Sequence, residues 1–244
     1  MKNITIGILV FILPSFLAVL FLKLTGAKIG KNVKIGFSYL GTSKLVIGSD
    51  VSIGHGNLIV NEKLILSNYA RIGYLNVLKG PFVLMLKEKA AIGNKNYITR
   101  GSKGVTYGES FLKLGELTKI TSGHHIDLTK SVVIGSFSIL AGIRSQIWTH
   151  GYYHGEQGPE RIRIDGEVHI GDNVYVGSGC IFNPGVKVSN AIHIGAGSVI
   201  SKSLEKPGMY VNQTLRYLDN DLKRVKSKLK EVEENNLIEK VYLK

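Results

Sequence analysis

From Ile164 to Ile200 an apolar side chain recurs at every sixth position, as Ile164, Ile170, Val176, Phe182, Val188, Ile194 and Ile200. Glycine follows directly at Gly171, Gly177 and Gly195, and small residues such as Ser178, Cys180 and Ser198 fall between. A helix surface repeats near 3.6 residues and a strand near 2, so neither alone produces this spacing. A six-residue period predicts a coil of short strands joined by tight turns, with one side chain per repeat entering a central core. Ile29-Gly30, Ile35-Gly36, Ile47-Gly48 and Ile53-Gly54 carry the signature earlier, and Ile59 and Ile65 continue the frame. Ile92-Gly93 leads to Ile98, Ile134-Gly135 leads to Leu140, and positions 92, 134 and 164 share one phase across non-repeating segments. The expectation is a mainly β chain: one elongated coil over 26–214 with appendages at 1–25 and 215–244.

Both appendages depart from the six-residue pattern. Ile4 to Leu22 is uncharged and almost wholly apolar, close to the ~20 residues that cross a bilayer. It predicts an N-terminal hydrophobic membrane helix, kinked or re-entrant at Pro14. Lys23, Lys28, Lys31 and Lys34 follow it, against Lys2 before it, which places the rest of the chain on the cytoplasmic side of the membrane. At the other end Leu218, Leu222, Val225, Leu229 and Val232 are spaced four, three, four, three. This stripe predicts a C-terminal amphipathic α-helix packed on its own coil, with pairing to sister subunits or a membrane surface as alternatives.

The segment 170–186, Ile-Gly-Asp-Asn-Val-Tyr-Val-Gly-Ser-Gly-Cys-Ile-Phe-Asn-Pro-Gly-Val, and the segment 194–202, Ile-Gly-Ala-Gly-Ser-Val-Ile-Ser-Lys, resemble the hexapeptide-repeat acyltransferases, in particular their sugar O-acetyltransferase branch. The resemblance covers about 29–216. It implies a left-handed parallel β-helix, a homotrimer, and acetyl-CoA as co-substrate with no metal. In that family a catalytic histidine, commonly after threonine, stands where a loop leaves the coil, and Thr149-His150 matches that placement. The family's pantetheine groove implies Ser178, Gly179 and Gly197 as coenzyme contacts, and Lys202 matches a lysine near the phosphates. The usual Gly-x-Pro-Ala-Lys-like ending is replaced here by Val211-Asn-Gln-Thr-Leu-Arg216, which leaves Arg216 the weakest of these assignments.

Between Leu140 and Ile164 the repeat breaks, and the polar, aromatic, Gly-rich stretch predicts an extruded loop at about 147–163. A sugar hydroxyl attacks a thioester only as its proton leaves, which a neutral imidazole such as His150 can accept without an acyl-enzyme. His154 is the rival base. Glu156, Glu160, Asp165 or His125 would support it, the last by approaching from a neighbouring subunit. Trp148, Tyr152 and Tyr153 offer flat faces for an acceptor sugar, or simply pack the loop down. His169 and His193 lie 24 residues apart, off a stacking register, which argues against a carbonic-anhydrase-like three-histidine zinc site; His124, His125 and His150 are its remaining route.

The formal charge of +13 points to an anionic partner such as coenzyme phosphates, a membrane face or a glycan, while no nucleic-acid motif accompanies it. Cys180 is the only cysteine, so no internal disulfide forms, and it is expected in the core. The function expected is O-acetyl transfer from acetyl-CoA to a cell-envelope glycan or lipid-linked sugar. The alternatives are N-acylation of an amino sugar and a non-catalytic scaffold.

Overall fold

A computed structural model of the chain describes residues 2–154, 156–157, 161–211, 216–218, 227, 230–231 and 242–243. It is a parallel β-helix: short strands pair with the strand one coil earlier and one coil later, and three faces enclose one continuous apolar core. Ile35 pairs with Ile53 on the first face, Ile126 with Ile147 on the second, and Ile134 with Ile170 on the third. The Ile-Gly pairs fall where the first or third face ends. A β-carbon on Gly54 would lie 2.4 Å from the Gly73 carbonyl oxygen of the next rung, so only glycine fits that close approach. Ile72-Gly73 occupies the same place.

The frame slips where coils lengthen. Strands Leu58–Leu66 and Val77–Leu86 run unbroken around one corner, with a register shift between Asn61 and Lys63. The extra residue turns Ile65 outward and puts Leu64 and Leu66 into the core instead. Ile164 is a second correction. It is 52% exposed on a projecting hairpin, whereas Ile170, Val176, Phe182, Val188, Ile194 and Ile200 are all buried as the period requires.

The N-terminal segment forms no spanning helix. Pro14, with ψ near 150°, breaks it into α1 (Lys2–Ile12) and α2 (Ser15–Leu24), and no described helix is long and apolar enough to cross a membrane. Val10, Ala18 and Leu22 are buried in the core cluster, and Ser15 Oγ accepts a hydrogen bond from the Ile35 amide at 2.9 Å. The two helices therefore close one end of the coil, and the lysine asymmetry loses the span on which its topological meaning depended. At the far end, Leu218 lies in a strand, Arg216–Leu218, antiparallel to Gly208–Val211. The rest of the C-terminal stripe (Leu222, Val225, Leu229 and Val232) lies outside the described residues.

The corner between the first and second faces carries a buried polar ladder. Asn76 Nδ2 donates to Asn57 Oδ1 at 2.9 Å, Asn96 Nδ2 to Asn76 Oδ1 at 3.1 Å, and the His124 amide to Asn96 Oδ1 at 3.0 Å. His124 Nδ1 accepts from the Ser145 amide at 3.2 Å, and the Cys180 amide donates to Ser145 Oγ at 3.2 Å. Each rung thus satisfies the next one's buried groups. His124 is a rung of this ladder, fully buried, and burial lowers its pKa to about 4, so it stays neutral. Cys180 is buried at the same corner, as expected from its place in the repeat.

Candidate active site

Three consecutive rungs open at the corner between the second and third faces. One carries the loop 101–109, between strands Tyr97–Thr99 and Phe111–Leu114. The next turns tightly through Asp127–Ser131, and the third extrudes the antiparallel hairpin His150–His154 with Arg161–Asp165. The repeat pattern continues through Ile147, fully buried, and resumes at Val168. His150 is the first residue of the hairpin, so the coil fixes its backbone and the extrusion opens its side chain to solvent.

Asp127 organises this corner. Its side chain is 10% exposed and its carboxylate accepts from five donors. Oδ2 takes the Thr149 hydroxyl at 2.7 Å, the Thr149 amide at 3.1 Å and His150 Nδ1 at 2.8 Å; Oδ1 takes the Thr129 hydroxyl at 3.0 Å and the Thr129 amide at 3.3 Å. Burial alone would raise its pKa. The hydrogen bonds of Thr149, His150 and Thr129, with the nearby imidazole charge, outweigh burial and hold the carboxyl below its ordinary value. An ionised Asp127 accepts only, so the hydrogen in this contact is on Nδ1 and the lone pair of neutral His150 is on Nε2. The His150 side chain is 29% exposed, which leaves that edge accessible. Thr149, fully buried, also accepts from the Lys130 amide at 2.9 Å and so ties the two rungs together.

Around this pair runs a chain of rings. Tyr97, His125 and Trp148 stack on successive rungs with centroids 5.1 and 4.9 Å apart. Trp148 meets His150 edge-on at 6.3 Å, and Tyr152 meets His150 edge-on at 6.1 Å. Trp148 is fixed further by its Nε1 donating to Gln146 Oε1 at 2.9 Å. The loop 101–109 is held against the hairpin. Arg163 donates to the Val105 carbonyl at 2.6 Å, the Lys130 ammonium lies 3.7 Å over the Tyr107 ring, and the buried Arg100 guanidinium donates to the carbonyls of Tyr107 and Gly108 at 2.9 and 2.8 Å.

Within the single chain, none of the described supporting residues expected from sequence makes a polar contact with the His150 side chain. His125 stacks on Trp148 from its own chain and makes no polar contact with His150 in this structure. His154 is exposed four residues along the hairpin, in ring contact with Tyr152 rather than with His150. Glu156 is exposed beyond the hairpin strand, and Glu160 lies outside the described residues. Asp165 faces His150 across the hairpin but is charge-paired with Arg163 at 2.8 Å. The residue that orients the imidazole, Asp127, is not marked by the repeat, which puts Ile126 in the core and leaves Asp127 next to it, one coil before Thr149-His150. The histidines of the zinc alternative do not converge, because His124 is locked in the ladder and His125 in the ring stack. No group of three or more metal-ligating side chains occurs among the described residues.

The coenzyme candidates divide between two corners. Ser178, Gly179 and Gly197 stack at the ladder corner, where the Gly197 amide donates to the Ser178 carbonyl at 2.8 Å and both glycines adopt positive φ. Lys202 is exposed after strand Val199–Ile200, at the His150 corner. The second face lies between. The Arg216 backbone is in its strand, and its side chain is outside the described residues. A concavity of about 990 Å³ lies elsewhere, between the start of α2 and the first face near Ile35, Arg71 and Tyr74. Its position is set by the helical cap, and the chemistry of Asp127 and His150 is the better guide to a reaction site.

No family model matches the chain. Its sequence is 35% identical over 74 residues to Putative acetyltransferase SAV2555 of Staphylococcus aureus (strain Mu50), covering 29% of this chain and 36% of that protein. The match therefore spans about a third of the relative's length. Among solved structures, the polysialic acid O-acetyltransferase OatWY overlays with a TM-score of 0.48 at 18% identity, over 80% of this chain and 82% of that one. AntD, an N-acyltransferase from Bacillus cereus, overlays with a TM-score of 0.41 at 17% identity, over 88% and 96%. In the stretch matched by sequence the chain resembles acetyltransferases, and its coil is of the hexapeptide-repeat kind.

Proposed function

We propose that the protein is an acetyl-CoA-dependent O-acetyltransferase whose acceptor is a hydroxyl of a cell-envelope glycan or lipid-linked sugar. The observation that carries this reading is the Asp127–His150 pair: a buried, ionised carboxylate aims an imidazole with a free Nε2 edge out of the coil at the root of an extruded hairpin. The 74-residue likeness to bacterial acetyltransferases supports it.

In the proposed reaction Nε2 takes the acceptor hydroxyl's proton as the oxygen attacks the thioester carbonyl. The tetrahedral oxyanion collapses, the C–S bond breaks, and the Nε2 proton passes to the departing thiolate. An ester and the free thiol leave, and the imidazole is neutral again. Asp127 stabilises the transient imidazolium and holds the tautomer; it is a positioning residue. Trp148 and Tyr152 flank the imidazole and would stack on the acceptor ring. The coenzyme would lie along the second face, its pantetheine against Ser178, Gly179 and Gly197 and its phosphates towards Lys202. A trimer of left-handed coils, the assembly implied by the resemblance, would cover that face with a sister subunit and form a closed seam.

Purified protein incubated with acetyl-CoA and glycan acceptors should release free thiol, and the product should be alkali-labile. His150→Ala should lower the rate by about a hundredfold to ten-thousandfold. An alkali-stable product would assign N-acylation instead. Intact oligomers that bind no acetyl-CoA would leave a scaffold.

A further inference from the structure

We propose that α1 and α2 seat the closed end of the coil on an anionic lipid bilayer, lying in its interface without crossing it. The inference is independent of the reaction at His150.

The two helices bury one face and leave the other bare. Val10, Ala18 and Leu22 point into the core, and Gly7 lies so close to the Tyr39 ring that a β-carbon there would come within 2.5 Å of it. On the outside, large apolar side chains recur every fourth residue across both helices. Ile4, Ile8 and Ile12 are 57%, 50% and 59% exposed, and Phe16, Leu20 and Leu24 are 72%, 54% and 79% exposed. Exposed apolar stripes of this size mark an interaction surface. Its chemistry selects the occupant. Lys23, Lys28, Lys31, Lys34 and Lys44 are exposed at and beyond the end of α2, and the first acidic residue of the chain is Asp50. An apolar face beside five exposed lysines suits acyl chains beneath anionic headgroups. A second copy of the same end would bring two lysine clusters together.

The geometry also leaves the reaction site free. Strands stack away from the cap, and the Ile147 rung stands five rungs beyond that of Leu40. At about 4.8 Å per rung this places His150 roughly 24 Å from the cap along the coil axis.

The test uses the full chain sedimented with vesicles of phosphatidylcholine alone or mixed with phosphatidylglycerol. The wild type should partition onto the mixed vesicles and be partly released by added salt. The triple variant Phe16→Ser, Leu20→Ser, Leu24→Ser changes only exposed side chains, and should bind more than about tenfold more weakly with unchanged thermal unfolding. Trp148 is the only tryptophan, so Phe16→Trp in a Trp148→Phe background gives a local reporter. Its emission should shift to the blue on adding mixed vesicles, whereas wild-type emission should not. Wild-type protein that stays in the supernatant with both vesicle types, or a triple variant that binds as well as wild type, would overturn the proposal. So would a wild-type oligomer in solution that the triple variant dissociates while vesicles capture neither.

Discussion

A single buried carboxylate decides how the candidate site behaves. Asp127 is held ionised by donors from Thr129, Thr149 and His150, so its folded-state pKa lies below its unfolded value. Its contribution to stability is present above the unfolded pKa and is lost as pH falls through the folded one. Asp127→Asn keeps the shape of this corner but gives His150 Nδ1 a neutral partner in place of a carboxylate. We expect kcat for acetyl transfer to fall by roughly a hundredfold or more with little change in KM, together with an altered pH–rate profile. A merely structural role for Asp127 would show instead as lost thermal stability with normal turnover of the folded fraction. His124 supplies a second titration. It is neutral in the fold down to about pH 4, but its ordinary pKa is 6.5, so the unfolded chain binds the extra proton between those values. Stability contributed there falls as pH drops from about 6.5 towards about 4. His124→Asn would continue the ladder of Asn57, Asn76 and Asn96 without that proton. Denaturant midpoints across this range should therefore fall less steeply for the variant than for the wild type.

At the scale of strands and corners, packing separates residues that the periodicity treats alike. Ile164→Ser, on the exposed hairpin, should change stability by less than about 0.5 kcal/mol. Ile170→Ser, one repeat later and buried, should cost more than about 2 kcal/mol by urea unfolding. The six-residue period foretold the core from Ile170 to Ile200 because every rung there is regular. It also located the break that becomes the hairpin. It failed at Ile65, where one inserted residue reverses inside and outside, and at Ile164, where the phase persists by coincidence within an extruded strand. Thr149-His150 was singled out by the family resemblance together with its place at the start of a loop. Asp127 was not, because its importance comes from stacking one coil below, and the length of that coil is set by insertions that a local pattern does not reveal. The N-terminal apolar run was legible as apolar and as interrupted at Pro14, but not as packed against the coil, since burial of Val10, Ala18 and Leu22 depends on tertiary contacts. Replacing 152–163 by a short turn should abolish transfer while leaving the coil's thermal unfolding nearly unchanged, because none of the described hairpin residues belongs to the core cluster.

For the molecule as a whole, one prism joins two separated surfaces: a candidate reaction corner built from three central rungs and an apolar end beside a cluster of lysines. Rigid stacking makes their separation a fixed property of the coil. If the second face is the coenzyme seam, the active form is an oligomer. Light scattering should then give three chains per particle, and activity per chain should fall on dilution below the assembly range. A monomer with undiminished turnover would contradict that assembly. The most direct test of the whole account is a single-turnover measurement of thiol release from acetyl-CoA with a glycan acceptor, comparing wild type, His150→Ala and Asp127→Asn at matched folded concentration. Acceptor-dependent release by wild type is expected, with loss of nearly all of it in His150→Ala and a large loss in Asp127→Asn without loss of coenzyme binding. Equal release by all three proteins would show that the imidazole at the root of the hairpin is not the base.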